Sequence, residues 1–232
     1  MSNDDIAEIN KFDTLANQWW CENGAFQTLH KINPLRIKFI EECVGNLKGK
    51  KVLDIGCGGG LLCEGLARKN ADSYGIDMSK QSIKIAKIHL LESNLDINYR
   101  NIPVKKLVED KKEYFDVVTC LEMLEHTSQP KEIIRDASIL TKVNGWTIFS
   151  TINRNFKSYI LSILFAEKVF NLIPEGTHSY TNYIKPKELM RAAQSNNLKA
   201  VKATGIGFNP ITKNFFLTKN IDVNYIIAFK KY

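Results

Sequence analysis

Between residues 50 and 150 the chain alternates short apolar runs with stretches whose apolar residues return every three or four positions. The runs at 51–55, 73–77, 97–100, 115–120 and 146–150 are rich in Val, Ile and aromatics, as strands buried on both faces are. The periodic stretches at 61–69, 80–93, 104–109 and 130–141 predict helices. Ser79 stands at the N-cap position of the second, and Asn144-Gly145 predicts a stop before the fifth strand. Such alternation predicts an α/β fold, a parallel sheet with helices on both faces. Ligands of such sheets sit beyond the C-terminal ends of the strands.

After Ser150 the alternation lapses for about thirty-five residues, then resumes with a helix at 186–196 and strands at 198–205 and 222–230. In residues 6–20, Phe12, Leu15, Ala16 and Trp19 fall at i, i+3, i+4 and i+7, which predicts an amphipathic helix packed across the ligand edge of the sheet. The expected organisation is one domain: a helical cap (1–49), a ligand-binding core (50–150), an apolar insertion (154–185) and a C-terminal helix and hairpin (186–232).

The densest chemical signal is Val52 to Gly60, Val-Leu-Asp-Ile-Gly-Cys-Gly-Gly-Gly, an apolar run ending in an acid and four glycines within five positions. Glycines there suit a tight loop between a strand and a helix. A dinucleotide fingerprint needs glycine at the place Leu61 occupies. Asp54 would also repel a pyrophosphate at the helix N-terminus, whereas it suits a cationic ligand such as S-adenosylmethionine (SAM). Asp77 ends the next strand, where an acid accepts the hydroxyls of a ribose.

The chain has 232 residues, 44% of them hydrophobic, enough to bury a full core. Its net charge of +7 is spread without a block of like charges, so no nucleic-acid partner is expected, while anionic surfaces are favoured in general. Five cysteines without a C-x-x-C pair predict free thiols in a reducing compartment. The acidic N-terminus lacks a signal sequence and no stretch reaches the length of a membrane span, so a cytoplasmic protein is expected.

Leu121-Glu122-Met123-Leu124-Glu125-His126 follows the fourth strand. The Asn/Asp-Pro-Pro-Tyr/Phe motif with which amine methylators hold their substrate is absent. If the segment opens a helix, Glu122, Glu125 and His126 share one face. Two chemistries suit a phenol there: His126 as general base, or a divalent cation (magnesium or zinc) held by Glu122, Glu125 and His126 that lowers the phenol's pKa. The bland alternative is two solvated carboxylates and a structural histidine.

The nonapeptide resembles motif I of the class I SAM-dependent methyltransferases. Trp19-Trp20, Asn33-Pro34-Leu35-Arg36, the Glu122–His126 segment, Thr151-Ile152-Asn153-Arg154-Asn155, Gly176-Thr177-His178 and Phe208-Asn209-Pro210 narrow the resemblance to the bacterial ubiquinone-biosynthesis O-methyltransferases. It runs from about Phe12 to Tyr225. The resemblance implies a Rossmann-like, seven-stranded, mostly parallel sheet with an antiparallel last strand. It also implies SAM as cofactor, contacted by Arg36, Asp54, Gly56, Gly58, Asp77 and Leu121, with Arg36 on its carboxylate. The implied substrates are a 2-polyprenyl-6-hydroxyphenol and 3-demethylubiquinol, with other ubiquinone-biosynthesis proteins as partners. A polyprenylated substrate also gives the apolar stretch 158–173 a reading: an interfacial element beside Arg154, Lys157, Lys168, Lys185 and Lys187, peripheral at the inner face of the cytoplasmic membrane.

Overall fold

The structure, a computed structural model, describes residues 3–155, 158 and 182–232. The five apolar runs become strands β1 (Lys51–Ile55), β2 (Asp72–Ile76), β3 (Ile97–Arg100), β4 (Phe115–Leu121) and β5 (Thr141–Ile152). Three more follow, β6 (Leu198–Asn209), β7 (Asn214–Thr218) and β8 (Asn224–Lys231). All eight join in the order β3-β2-β1-β4-β5-β8-β6-β7. The first five pair in parallel. β8 returns antiparallel to β5, β6 to β8 and β7 to β6.

The antiparallel C-terminal strands agree with the expectation, but the sheet has eight strands rather than seven. The additional strand, β7, is a five-residue edge strand, half-exposed along its length. Its apolar run, Phe215-Phe216-Leu217, is only three residues long, shorter than the runs of the central strands. At the centre of the sheet Leu53, Val117, Val118 and Cys120 are fully buried, as strands covered on both faces must be.

The helices are α1 (Asn3–Leu15), α2 (Gln27–Val44), α3 (Leu61–Ala67), α4 (Lys80–Ser93), α5 (Val104–Asp110), α6 (Pro130–Leu140) and α7 (Pro186–Gln194). Ser79 caps α4 as expected, its Oγ accepting from the Ser82 N–H at 2.9 Å. Two local expectations need correction. Asn144-Gly145 does not precede β5 but lies inside it; Asn144 takes φ +59°, and the register with β4 shifts between Phe115 and Val117, so a bulge absorbs the turn residues.

The stretch 6–20 is also not one helix. α1 ends at Leu15 and a 3-10 turn over Ala16–Gln18 follows. That break lets Trp19 leave the helical stripe, stack on Phe26 (centroids 3.8 Å apart) and donate from its indole N–H to Ser82 Oγ at 3.1 Å. The N-terminal segment is thereby fastened to α4 at the ligand edge. Most of the apolar insertion, residues 156–157 and 159–181, lies outside the described residues. Among the described residues no helix is long and apolar enough to cross a membrane.

Candidate active site

The chain leaves β1 toward β2 and β3 on one side, while β4 and β5 lie on the other, so the topological switch falls between β1 and β4. A crevice opens at such a point. Here it is a cavity of about 510 Å³. Arg36, Asp54, Gly56, Gly58, Asp77, Leu121, Glu122 and His126 all line it, and of the expected site residues Glu125 alone does not.

The glycine loop is shaped by the protein as much as by any ligand. Gly56, Gly58 and Gly60 take φ of +75°, +53° and +88°, which side chains rarely adopt. Their missing side chains also make room for neighbours: a Cβ would meet Met123 at Gly56, Trp19 at Gly58 and the Tyr99 hydroxyl at Gly60, each within 2.7 Å. Gly59 lies beneath the Trp19 ring as well. Sequence reasoning assigned these glycines to ligand approach and missed that Trp19 covers two of them.

Asp77 ties the loop to the next strand. Its Oδ2 accepts from the Gly58 N–H at 2.8 Å and its Oδ1 from the Ser79 N–H at 2.7 Å. Burial raises its pKa, against the pull of these two amides. Each oxygen keeps a further lone pair, so the carboxylate can still accept a pair of hydroxyls. Asp54, at the end of β1, accepts from Thr119 Oγ1 at 2.7 Å. Burial lifts its pKa to about 7, opposed by that hydrogen bond and by the Arg36 charge.

Arg36 projects from α2, the helix that packs on α3. It is 6% exposed, and among the described residues its Nε and Nη2 have no hydrogen-bond partner. The nearest carboxylate, Glu122 Oε1, is 3.7 Å from Nη2. Burial lowers its pKa, against the attraction of Glu122, Asp54 and Glu125. A buried guanidinium with unsatisfied donors is costly, and an incoming carboxylate would satisfy it in bidentate fashion. With Asp54 for a cationic centre and Asp77 for a ribose, the residues present fit a SAM molecule. When bound, SAM supplies a methyl group activated on a positively charged sulfur.

The segment after β4 departs from the expected helix. Glu122 takes φ +52° and only a 3-10 turn follows, over Leu124–His126. The three chains of the expected metal set therefore diverge. Glu122 Oε1 accepts from Ser150 Oγ at 2.6 Å. Glu125 turns away from the cavity to Thr151 Oγ1, which donates to its Oε2 at 2.8 Å, and it is 4% exposed. Burial, then the charge of Glu122, raises its pKa to about 7. His126 faces α1: its Nδ1 lies 3.7 Å from Glu8 Oε2, and the Phe12 ring meets it edge-on at 5.5 Å. Among the described residues no three His, Cys, Asp or Glu side chains gather as a metal would require. The donor set does not fit a resident cation in this arrangement.

Burial opposes a charge on His126, but Glu8 and the carboxylates of Glu125 and Glu122 outweigh it and raise the imidazole pKa. The sequence offered no reason to single out Glu8, because nothing in the pattern brings residue 8 to residue 126.

Comparison with known proteins decides the family. A methyltransferase domain model matches residues 28–203. The ubiquinone biosynthesis O-methyltransferase of Nitrosomonas europaea is 47% identical over 228 residues, 98% of this chain and 97% of that protein. The chain belongs to the ubiquinone biosynthesis O-methyltransferases. The protein of the same description from Chromobacterium violaceum is 46% identical, covering 100% of this chain and 99% of its own. Among solved structures, the magnesium protoporphyrin IX methyltransferase of Synechocystis PCC 6803 with bound SAM superposes with a TM-score of 0.70 over 100% of this chain and 99% of that one. At 17% identity that likeness speaks for the fold. The methyltransferase thus has the class I fold, and its cofactor is SAM.

Proposed function

We propose that this methyltransferase transfers the methyl group of SAM to the phenolic hydroxyl of a polyprenylated catechol-type precursor of ubiquinone, such as a 2-polyprenyl-6-hydroxyphenol or 3-demethylubiquinol, with His126 as general base. The observation that carries the reading is the placement of one imidazole in the same cavity as the unsatisfied Arg36 guanidinium, Asp54 and Asp77. A phenol with a pKa of about 10 keeps its proton at neutral pH, and removing it costs roughly 4 kcal/mol. An imidazole in reach can take that proton as the oxygen attacks. Arg36, Asp54 and Asp77 hold the cofactor's two ends so that the acceptor meets a fixed methyl group, the positioning that lowers such barriers most. Leu121, Met123, Ile9 and Phe12 line the cavity and exclude water, which favours a reaction in which positive charge is quenched.

The names of the relatives support the quinone-type acceptor. A polyprenyl tail belongs in a bilayer, so the apolar stretch 158–173 with its lysines is proposed to meet an anionic membrane surface from the cytoplasmic side. Flotation with anionic and with neutral vesicles tests this; equal failure to bind both refutes it. The reaction is tested with methyl-labelled SAM and a short-chain demethylubiquinol, with and without chelator. Label in the quinol ether supports the proposal. Turnover that survives chelation agrees with His126, whereas loss of turnover restored by magnesium or zinc replaces the base with a metal. Label in RNA and none in the quinol overturns the acceptor.

A further inference from the structure

We infer that Glu8, on the N-terminal helix, is a positioning residue that orients the His126 imidazole for proton abstraction. This inference rests on His126 being the base. Both residues line the cavity, Glu8 from α1 and His126 from the turn after β4, 118 positions further along the chain. Nδ1 of His126 faces Glu8 Oε2 at 3.7 Å. That oxygen is buried and, among the described residues, has no hydrogen-bond partner, while the other, Oε1, accepts from Lys11 Nζ at 3.1 Å. A buried, unpartnered carboxylate oxygen aimed at a ring nitrogen is the acceptor the ring needs. The gap closes with a shift of less than 1 Å, and catalytic hydrogen bonds often tighten only when substrate is bound.

The chemistry follows from the two ring nitrogens. A neutral imidazole has one donor and one acceptor nitrogen, and a carboxylate accepts only. Glu8 therefore fixes the proton on Nδ1 and makes Nε2 the basic atom. When Nε2 takes the phenol proton, the ring becomes a cation facing an anion, and Glu8 stabilises the charge as it forms. The oxygen's electron pair then forms the bond to methyl while the sulfur–methyl bond breaks with its pair left on sulfur. No proton passes to Glu8.

Further contacts hold the helix that carries Glu8. The Asp5 carboxylate accepts from the Ser128 N–H and hydroxyl at 2.8 and 2.9 Å. Asp13 accepts from the Ser79 hydroxyl at 2.5 Å. Phe12 packs edge-on against the His126 ring. Among the described residues, Glu122 and Glu125 also bear on the imidazole. Glu125 is turned to Thr151 and Glu122 to Ser150, so neither offers Nδ1 the oxygen that Glu8 does.

The test combines ring spectroscopy with kinetics on the full chain. Nitrogen-15 shifts of the histidine rings, assigned with His126→Gln, report the tautomer without substrate. In the wild type Nδ1 is expected to carry the proton; in Glu8→Gln that preference is lost. The kcat for methyl transfer is expected to fall about tenfold to a hundredfold in Glu8→Gln, with SAM affinity and quinol KM within about twofold. Asp5→Ala removes the contact with Ser128 and loosens the same helix while leaving Glu8 in place. A fall in kcat for Glu8→Gln that exceeds that of Asp5→Ala supports the inference. Equal losses in the two variants assign the effect to helix docking and overturn it. An unchanged ring tautomer in Glu8→Gln, or an unchanged kcat, also overturns it. Full turnover by His126→Gln would instead remove the base itself, an outcome distinguishable because the tautomer measurement needs no turnover.

Discussion

The two ends of the cavity are built differently. The donor end consists of strand termini, one loop and Arg36 from α2: Asp54 stands near the end of β1, Asp77 follows β2, and the glycine turn is pinned between them by the Gly58–Asp77 hydrogen bond. The acceptor end is assembled from distant pieces. His126 lies on a 3-10 turn after a residue at φ +52°, and α1 reaches across to it from the N-terminus. A rigid donor end needs little beyond the sheet, because parallel strands fix where their last residues stand. The acceptor end depends on a helix that has no place in the sheet.

The comparison predicts that acceptor-end changes spare SAM binding while donor-end changes weaken it. The largest effect is expected for His126→Gln, in which kcat falls about a thousandfold, within the range of general-base catalysis, while calorimetry finds SAM bound as before. Arg36→Met should do the opposite. It removes a charge-assisted pair and leaves three nearby carboxylates without their cation, so SAM affinity should weaken about a hundredfold by calorimetry.

Asp54→Asn should weaken SAM binding about tenfold and abolish its pH dependence. The sign follows from burial, which raises Asp54 from 3.8 to about 7. Below that value the carboxyl holds its proton and must release it to face a cation. Wild-type affinity should therefore climb with pH, by at most about tenfold per unit, and level off above pH 7. Stability without SAM runs the other way: the folded state holds this proton more tightly than the unfolded chain, so this contribution is lost as pH rises from about 4 to 7. The smallest effect is expected for Ser150→Ala. It frees Glu122 from its 2.6 Å hydrogen bond and should lower kcat/KM about threefold in steady-state assays.

The same contrast explains what the sequence disclosed. Parallel strands at the centre of the sheet are largely apolar and alternate with helices, so β1 to β5 were legible, and with them Asp54 and Asp77 near their ends. Ser79 was legible because a cap is a local pattern. β7 was not, since its apolar run, Phe215-Phe216-Leu217, is only three residues long and lies on a half-exposed edge. Glu122, Glu125 and His126 share a helical spacing, yet Ser150 and Thr151 on β5 draw the two acids aside. Those hydroxyls come from a neighbouring strand, and spacing along one segment does not reveal them. The pairing of Glu8 with His126 is likewise a tertiary fact.

On the proposed reading, donor binding and proton removal rest on different residues of one cavity, Arg36, Asp54 and Asp77 for the first and His126 for the second. The most direct test is a single turnover of labelled SAM to a short-chain demethylubiquinol by SAM-saturated His126→Gln. Label that stays on SAM while wild type delivers it to the quinol is the predicted result. Delivery at the wild-type rate would contradict the account.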